Sequence, residues 1–271
     1  MRLIKIGAFL LAVSFFTACN RSGERENSEG GQQKLVGSKV SSQFGGCDTV
    51  NSKGISIKLN LWEPSDSSEA AKAIRTTLTQ KSLQRINSYG DSASIAANPE
   101  AGKSIKSAFE VFEKNYNDFK KDFPDAPGCW EVELKGNTVF STSKILFYQL
   151  DHYAFTGGAH PNTFRSYHAF NTKTGAEIEM KDFVSDSTKL LSLVDKAFRK
   201  TEKLSAETDL EEAGYFLLNH KFVLPVAYVF VPDGILFYYN PYEIAAYARG
   251  AIHFTIPYAE LNGVIDRDKV F

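Results

Sequence analysis

The sequence predicts an α+β fold: antiparallel β-sheets accompanied by two N-terminal helices and a further central helix. Three observations lead there. Apolar and polar residues alternate with a period of two at 55–61 and repeatedly after residue 129. Longer segments near 67–86, 99–121 and 187–200 instead repeat their apolar residues every three to four positions. No succession of strand–helix–strand units appears, and no internal repeat of roughly 20–50 residues.

The chain opens with Arg2 and Lys5 ahead of an apolar run from Ile6 to Phe16, and Thr17-Ala18 lead into Cys19. A basic start, an apolar core of about a dozen residues and a small-residue cleavage site make residues 1–18 an export signal. The run falls short of the roughly 20 apolar residues that a membrane-spanning helix needs. Cys19 at the cleavage position resembles the lipobox of bacterial lipoproteins, with Phe16 a looser match at its first position. That resemblance implies that Cys19 is lipidated and becomes the mature N-terminus. The protein is then extracytoplasmic, held to a membrane at the periplasmic face or the cell surface, because several acyl chains anchor stably where one does not. An exported protein with an incidental Cys19 is the alternative.

Residues 19–46 are rich in Ser, Gly, Glu, Gln and Lys, and they read as a flexible tether that buries too little to repay its ordering. An N-terminal module is expected over 47–170 and a C-terminal one over 171–271, intimately packed. In the first, Ile55, Ile57, Leu59 and Leu61 form one face of a strand. Ala70, Ala73, Ile74, Leu78 and Leu83 mark a helix from Ser67 to Ile86. After a break over 87–100, Ile105, Phe109, Phe112, Tyr116 and Phe119 form the stripe of a second helix that packs on a sheet. Trp130, Val132 and Leu134 alternate next, Gly136-Asn137 reads as a turn, and Lys144–Ala154 pairs as a hairpin with Phe164–Phe170. In the second module a helix over 187–200 precedes a hairpin around Pro232-Asp233-Gly234. A strand through Ile252, Phe254 and Ile256 follows, and then a short helix over 257–261.

Cleavage after residue 18 removes Arg2 and Lys5, so the formal charge moves from −1 to about −3. A nearly neutral domain has no electrostatic footprint for nucleic acid. With 21 Phe, 12 Tyr and 2 Trp, the chain can bury a core without a metal or cofactor, and none is expected. Cys47 and Cys129 remain after processing. Export permits a disulfide between them, closing a loop of about 80 residues worth roughly 4–5 kcal/mol; two separate buried thiols are the other possibility.

Two stretches carry a resemblance. They are Tyr153-Ala154-Phe155-Thr156-Gly157-Gly158-Ala159-His160-Pro161-Asn162 and Phe237-Tyr238-Tyr239-Asn240-Pro241-Tyr242-Glu243-Ile244-Ala245, continued by Ala246-Tyr247-Ala248-Arg249-Gly250 and 254–261. Together they resemble an uncharacterised bacterial family of extracytoplasmic domains of the DUF4163/DUF3298 type. Its N-terminal module occurs beside peptidoglycan deacetylase domains, and the pair of modules forms the ectodomain of a lysozyme-sensing anti-sigma factor. The resemblance covers roughly 50–265 and implies a cell-envelope domain that binds a protein or a glycan. Neither a separate deacetylase domain nor a sigma-binding segment accompanies it here, so neither activity is carried over.

Among the histidines, His152, His160 and His168 cluster in sequence. His152 and His168 fall on strand faces beside apolar residues and are expected to be partly buried and hydrogen-bonded, while His160 sits in a Gly-Gly loop. A zinc site from these three, or acid–base work by His160 with Asp151, would need them to converge. No compact ligand motif, serine elbow or phosphate loop is present. Aromatic residues flanking the two signature loops (Tyr153, Phe155, Tyr167 and Tyr242) are, with His160, the stronger candidates for ligand contact. The reading is therefore a lipid-anchored, non-catalytic envelope protein recognising a protein or a peptidoglycan-type glycan. A cell-wall hydrolase or deacetylase-like enzyme using His160, and a structural accessory subunit of an envelope assembly, are the rivals. Nothing in the sequence fixes an oligomeric state.

Overall fold

A computed structural model describes residues 35–271 apart from 49, 52 and 127. The export signal, Cys19 and the start of the expected tether lie outside the described residues. The described chain is α+β, with two mostly antiparallel sheets, two long N-terminal helices and a long central helix, as the sequence predicts. Among the described residues no helix is long and apolar enough to cross a membrane.

The first sheet has six strands in sequential order: β1 (Gly37–Asp48), β2 (Lys53–Pro64), β3 (Trp130–Ser141), β4 (Ile145–Phe155), β5 (Asn162–Asn171) and β6 (Glu177–Ile178). β1 corrects the expected tether, because residues 37–46 pair with β2 from Gly37↔Pro64 onward. An edge strand exposed along most of its length needs no apolar alternation. Its Phe44 reaches a helix, with its ring 6.0 Å from Phe109. One pair, β2 with β3, is parallel, a departure from the all-antiparallel reading. The crossover that parallel strands require is supplied by α1 (Glu69–Asn87), α2 (Ser92–Ala97) and α3 (Ile105–Asp122). The side chains of Ser68, Asp91 and Ser104 cap these three helices; α2 occupies the break expected over 87–100.

Gly136 is not a turn. β3 runs through it to Ser141, and the reversal comes at Thr142, whose Oγ1 accepts from the backbone N–H groups of Lys144 and Ile145. The glycine is there for proximity. A Cβ at 136 would lie 1.8 Å from the Tyr148 hydroxyl, which donates to the Trp62 carbonyl at 3.0 Å.

The two faces of this sheet carry separate cores. On one, Ile57, Leu59, Val132, Leu134, Tyr148 and Leu150 meet Ile74 and Leu78 of α1 and Phe112 and Tyr116 of α3. Trp130 closes that core against Phe112, Tyr116 and Phe119 with ring centroids 5.3–5.7 Å apart. Cys47 and Cys129 form a disulfide at its rim, their Cα atoms 5.7 Å apart, which ties the end of β1 to the residue before β3.

On the other face Ile145, Phe147, Tyr167 and Ala169 pack with the C-terminal elements. These are α4 (Ser187–Thr201), β7 (Ala227–Val231), β8 (Gly234–Tyr239), β9 (Ile252–Pro257) and α5 (Arg267–Val270). β7, β8 and β9 form a three-stranded sheet, and Phe147 stacks on Phe230 at 5.3 Å. The first sheet extends past residue 171 into β6, so its last strand lies within the stretch expected to open the C-terminal module. Of residues 257–261, expected as a helix, Pro257 ends β9 and 258–261 form turns.

Candidate functional site

Strand parity decides which side chains meet. Lys135, Asp151 and Arg165 occupy one cross-strand row of β3, β4 and β5, and Glu133, Tyr153 and Thr163 occupy the next. Both rows point toward the C-terminal elements, since i and i+2 share a face. Asp151 is engaged by Arg165, with Oδ1 2.6 Å from Nε and Oδ2 3.2 Å from Nη2, and Gln149 donates to Oδ2 at 2.6 Å. The Arg165 guanidinium lies 4.7 Å over the Tyr238 ring. Burial pushes the Tyr238 hydroxyl pKa up, and the guanidinium partly offsets that.

Asn240 holds the C-terminal signature against this row. It is 4% exposed, accepts from the Arg165 backbone N–H at 2.6 Å and donates Nδ2 to the Arg165 carbonyl at 3.1 Å. The carboxylate of Glu243 in turn accepts from the backbone N–H groups of Asn240 and Val226. A groove of about 270 Å³ results, walled by Tyr153 and Tyr238, with Glu133, Lys135, Asp151 and Arg165 along its floor and Asn240-Pro241 at one end.

The signature loops also meet directly. Gly157 and Gly158 adopt φ of 95° and 104°, which side chains disfavour, and so shape the β4–β5 loop that carries His160. His160 stacks on Tyr247 with centroids 3.9 Å apart, and its Nε2 shares a 3.0 Å hydrogen bond with the Tyr242 hydroxyl. Tyr242 is 57% exposed and sits at φ 67°, a region that non-glycine residues rarely occupy.

Other expectations are corrected. Tyr167 is 8% exposed, packed in the second core and unavailable for ligand contact. Phe155 is half-buried at the end of β4 and does not line the groove. His160 and Asp151 do not pair, because each is engaged elsewhere. Nor do the three histidines share a site. His152 faces the helices and stacks on Tyr89 at 5.4 Å, and His168 bonds Ser166 and Glu177. Among the described residues no group of three or more His, Cys, Asp or Glu is placed to hold a metal ion. His152 is buried as expected, yet neither ring nitrogen has a hydrogen-bond partner among the described residues. Burial, reinforced by Arg85, lowers its pKa to about 4.

Sequence reasoning missed Arg165, Tyr238 and the clamp by Asn240. Asn240 and Tyr238 stood inside the signature, but which strand they would meet was not readable from it.

Residues 51–163 match the family model described as Deacetylase PdaC, and residues 181–259 match the one described as Protein of unknown function (DUF3298). The chain thus carries two successive stretches, each similar to one of these family models. The groove draws on both matched stretches: Glu133, Lys135, Asp151 and Tyr153 lie within 51–163, and Tyr238, Asn240 and Pro241 within 181–259. Among solved structures, a DUF3298-family protein from Bacteroides fragilis is similar at 17% identity and TM-score 0.62, over 86% of this chain and 94% of that one. Another, from Pseudomonas aeruginosa, is similar at 16% identity and TM-score 0.58, over 88% and 98%. At these identities the likeness is one of fold. No curated protein matches the chain.

Proposed function

We propose that this is a lipid-anchored cell-envelope protein that recognises a cell-wall glycan in the groove between its two matched stretches. The groove lining supports the reading: the Tyr153 ring stands beside charged side chains paired as Asp151–Arg165 and Glu133–Lys135. A sugar ring offers an apolar C–H face to an aromatic wall and hydroxyls to planar polar groups, and a groove of this make-up meets both. Cys19 carries the acyl chains, and the residues after it hold the domain off the membrane at the periplasmic face or the cell surface. The groove's mixed charge gives nucleic acid no basic track.

The test is binding to purified peptidoglycan and to its soluble fragments, alongside pull-down from envelope extracts. Tyr153→Ala is expected to weaken glycan binding at least about tenfold, the effect of losing roughly 1.4 kcal/mol of aromatic contact, with no change in melting temperature. Specific capture of an envelope protein without glycan binding assigns the groove to a protein partner. Equal glycan binding by folded Tyr153→Ala refutes this groove as the site. Loss of acyl labelling in Cys19→Ala checks the anchor.

A further inference from the structure

On the opposite face of the first sheet lies a second cavity, about 300 Å³ in volume, between α1 and β5. Ser166 and His168 stand two apart on β5 and so share a face, and β6 brings Glu177 beside them. Ser166 Oγ is 3.0 Å from His168 Nε2, and His168 Nδ1 is 2.8 Å from Glu177 Oε1. Lys81 of α1 holds the same carboxylate oxygen at 2.9 Å. Arg85, one turn on, lines the cavity with its guanidinium 4.3 Å over the Phe164 ring, and its N–H groups have no acceptor among the described residues.

We propose that Ser166 is a nucleophile and His168 its base in a site that cleaves carboxylic esters with a small acyl group, with Glu177 positioning the imidazole and Arg85 holding the carbonyl oxygen. The geometry fixes the tautomer. An Nδ1–H donated to Glu177 leaves Nε2 as the acceptor that faces the serine hydroxyl. That hydroxyl also lies 3.4 Å from the Leu150 carbonyl, but the imidazole is nearer. Burial, helped by Lys81 and Arg85 and opposed by Glu177, lowers the His168 pKa and keeps the ring neutral, as a base must be.

In the step itself Ser166 Oγ bonds the acyl carbon while its proton passes to His168 Nε2. The carbon–oxygen bond to the leaving alcohol breaks, and that alcohol takes the proton. Water then attacks the acyl carbon, its proton passes through Nε2 to the departing Ser166 oxygen, and the carboxylic acid leaves. This inference is independent of the glycan reading, which uses the other face of the sheet.

The test treats the purified protein with a fluorophosphonate and, separately, with 4-nitrophenyl acetate. A phosphonyl adduct on Ser166, located by peptide mass, is expected in the wild-type protein, so no variant needs to fold for the reading to be judged. Ser166→Ala is expected to lose the adduct, and His168→Gln to lower ester turnover by about 10²–10⁴-fold. The charged groups facing His168 are Glu177 on β6 and Lys81 and Arg85 on α1. Removing only the carboxylate, in Glu177→Gln, is expected to lower turnover and move the acid limb of the pH profile to lower pH, which a purely structural role would not do. No adduct on the folded wild-type protein, an adduct elsewhere, or full ester turnover in Ser166→Ala overturns the proposal.

Discussion

Replacing His152 with Phe should remove a specific part of the protein's sensitivity to acid. The imidazole is 5% exposed, and neither nitrogen has a hydrogen-bond partner among the described residues. Its pKa falls from the ordinary 6.5 to about 4, chiefly through burial. A folded value below the unfolded one means that the unfolded chain takes the proton first. The histidine's contribution is therefore complete above pH 6.5, declines as pH falls, and is gone below about 4. The whole shift is worth about 3 kcal/mol, and its share between pH 8 and pH 5 is about 2 kcal/mol. Phe keeps the ring against Tyr89, which His152 now meets at 5.4 Å, and brings no nitrogen to desolvate. Urea denaturation followed by the fluorescence of Trp62 and Trp130 reads the effect at both pH values. The wild-type protein should lose about 2 kcal/mol more than His152→Phe between pH 8 and pH 5. Other groups, His168 among them, titrate in both proteins, so the difference isolates residue 152. Parallel losses in the two proteins would refute the reasoning.

Two further outcomes concern packing and the covalent link. Gly136→Ala forces a methyl group to within 1.8 Å of the Tyr148 hydroxyl and should cost at least about 1–3 kcal/mol in chemical denaturation, with the Tyr148–Trp62 hydrogen bond disrupted. The double variant Cys47→Ala, Cys129→Ala opens a link that spans a sequence separation of 82 and should lower stability by up to about 4.5 kcal/mol, measured against oxidised wild type under the same conditions.

The structure follows the sequence where burial imposed a rhythm. Ile55–Leu61 and Trp130–Leu134 alternate because one face of each meets the helices, and the stripe of α3 is legible for the same reason. β1 was not legible, because an edge strand in solvent needs only backbone partners, and Ser, Lys and Gln serve as well as Val. Gly136 looked like a turn residue because a glycine demanded by a neighbouring hydroxyl and one demanded by a tight reversal are the same letter. The two signature stretches meet through His160 with Tyr242 and Tyr247, none of which lines the groove. The parity that buries Tyr167 was missed because β5 is covered on both faces there, so neither of its residue sets is marked by polarity. Ser166, His168 and Glu177 are joined by strand register and a turn between strands, which leaves no local motif to find.

The disulfide has a mechanical consequence. β1 enters the sheet at Gly37, the end that continues toward Cys19, and reaches its crosslinked residue, Cys47, only near its far end. Tension transmitted along the chain from its N-terminal side would unzip β1 from β2 one hydrogen-bonded pair at a time, starting at the Gly37↔Pro64 pair. The rupture would halt at Cys47, because beyond it the load passes through sulfur to the start of β3 in the interior of the sheet. A protein pulled between a membrane and a rigid wall would thus surrender an edge strand and keep both of its cores.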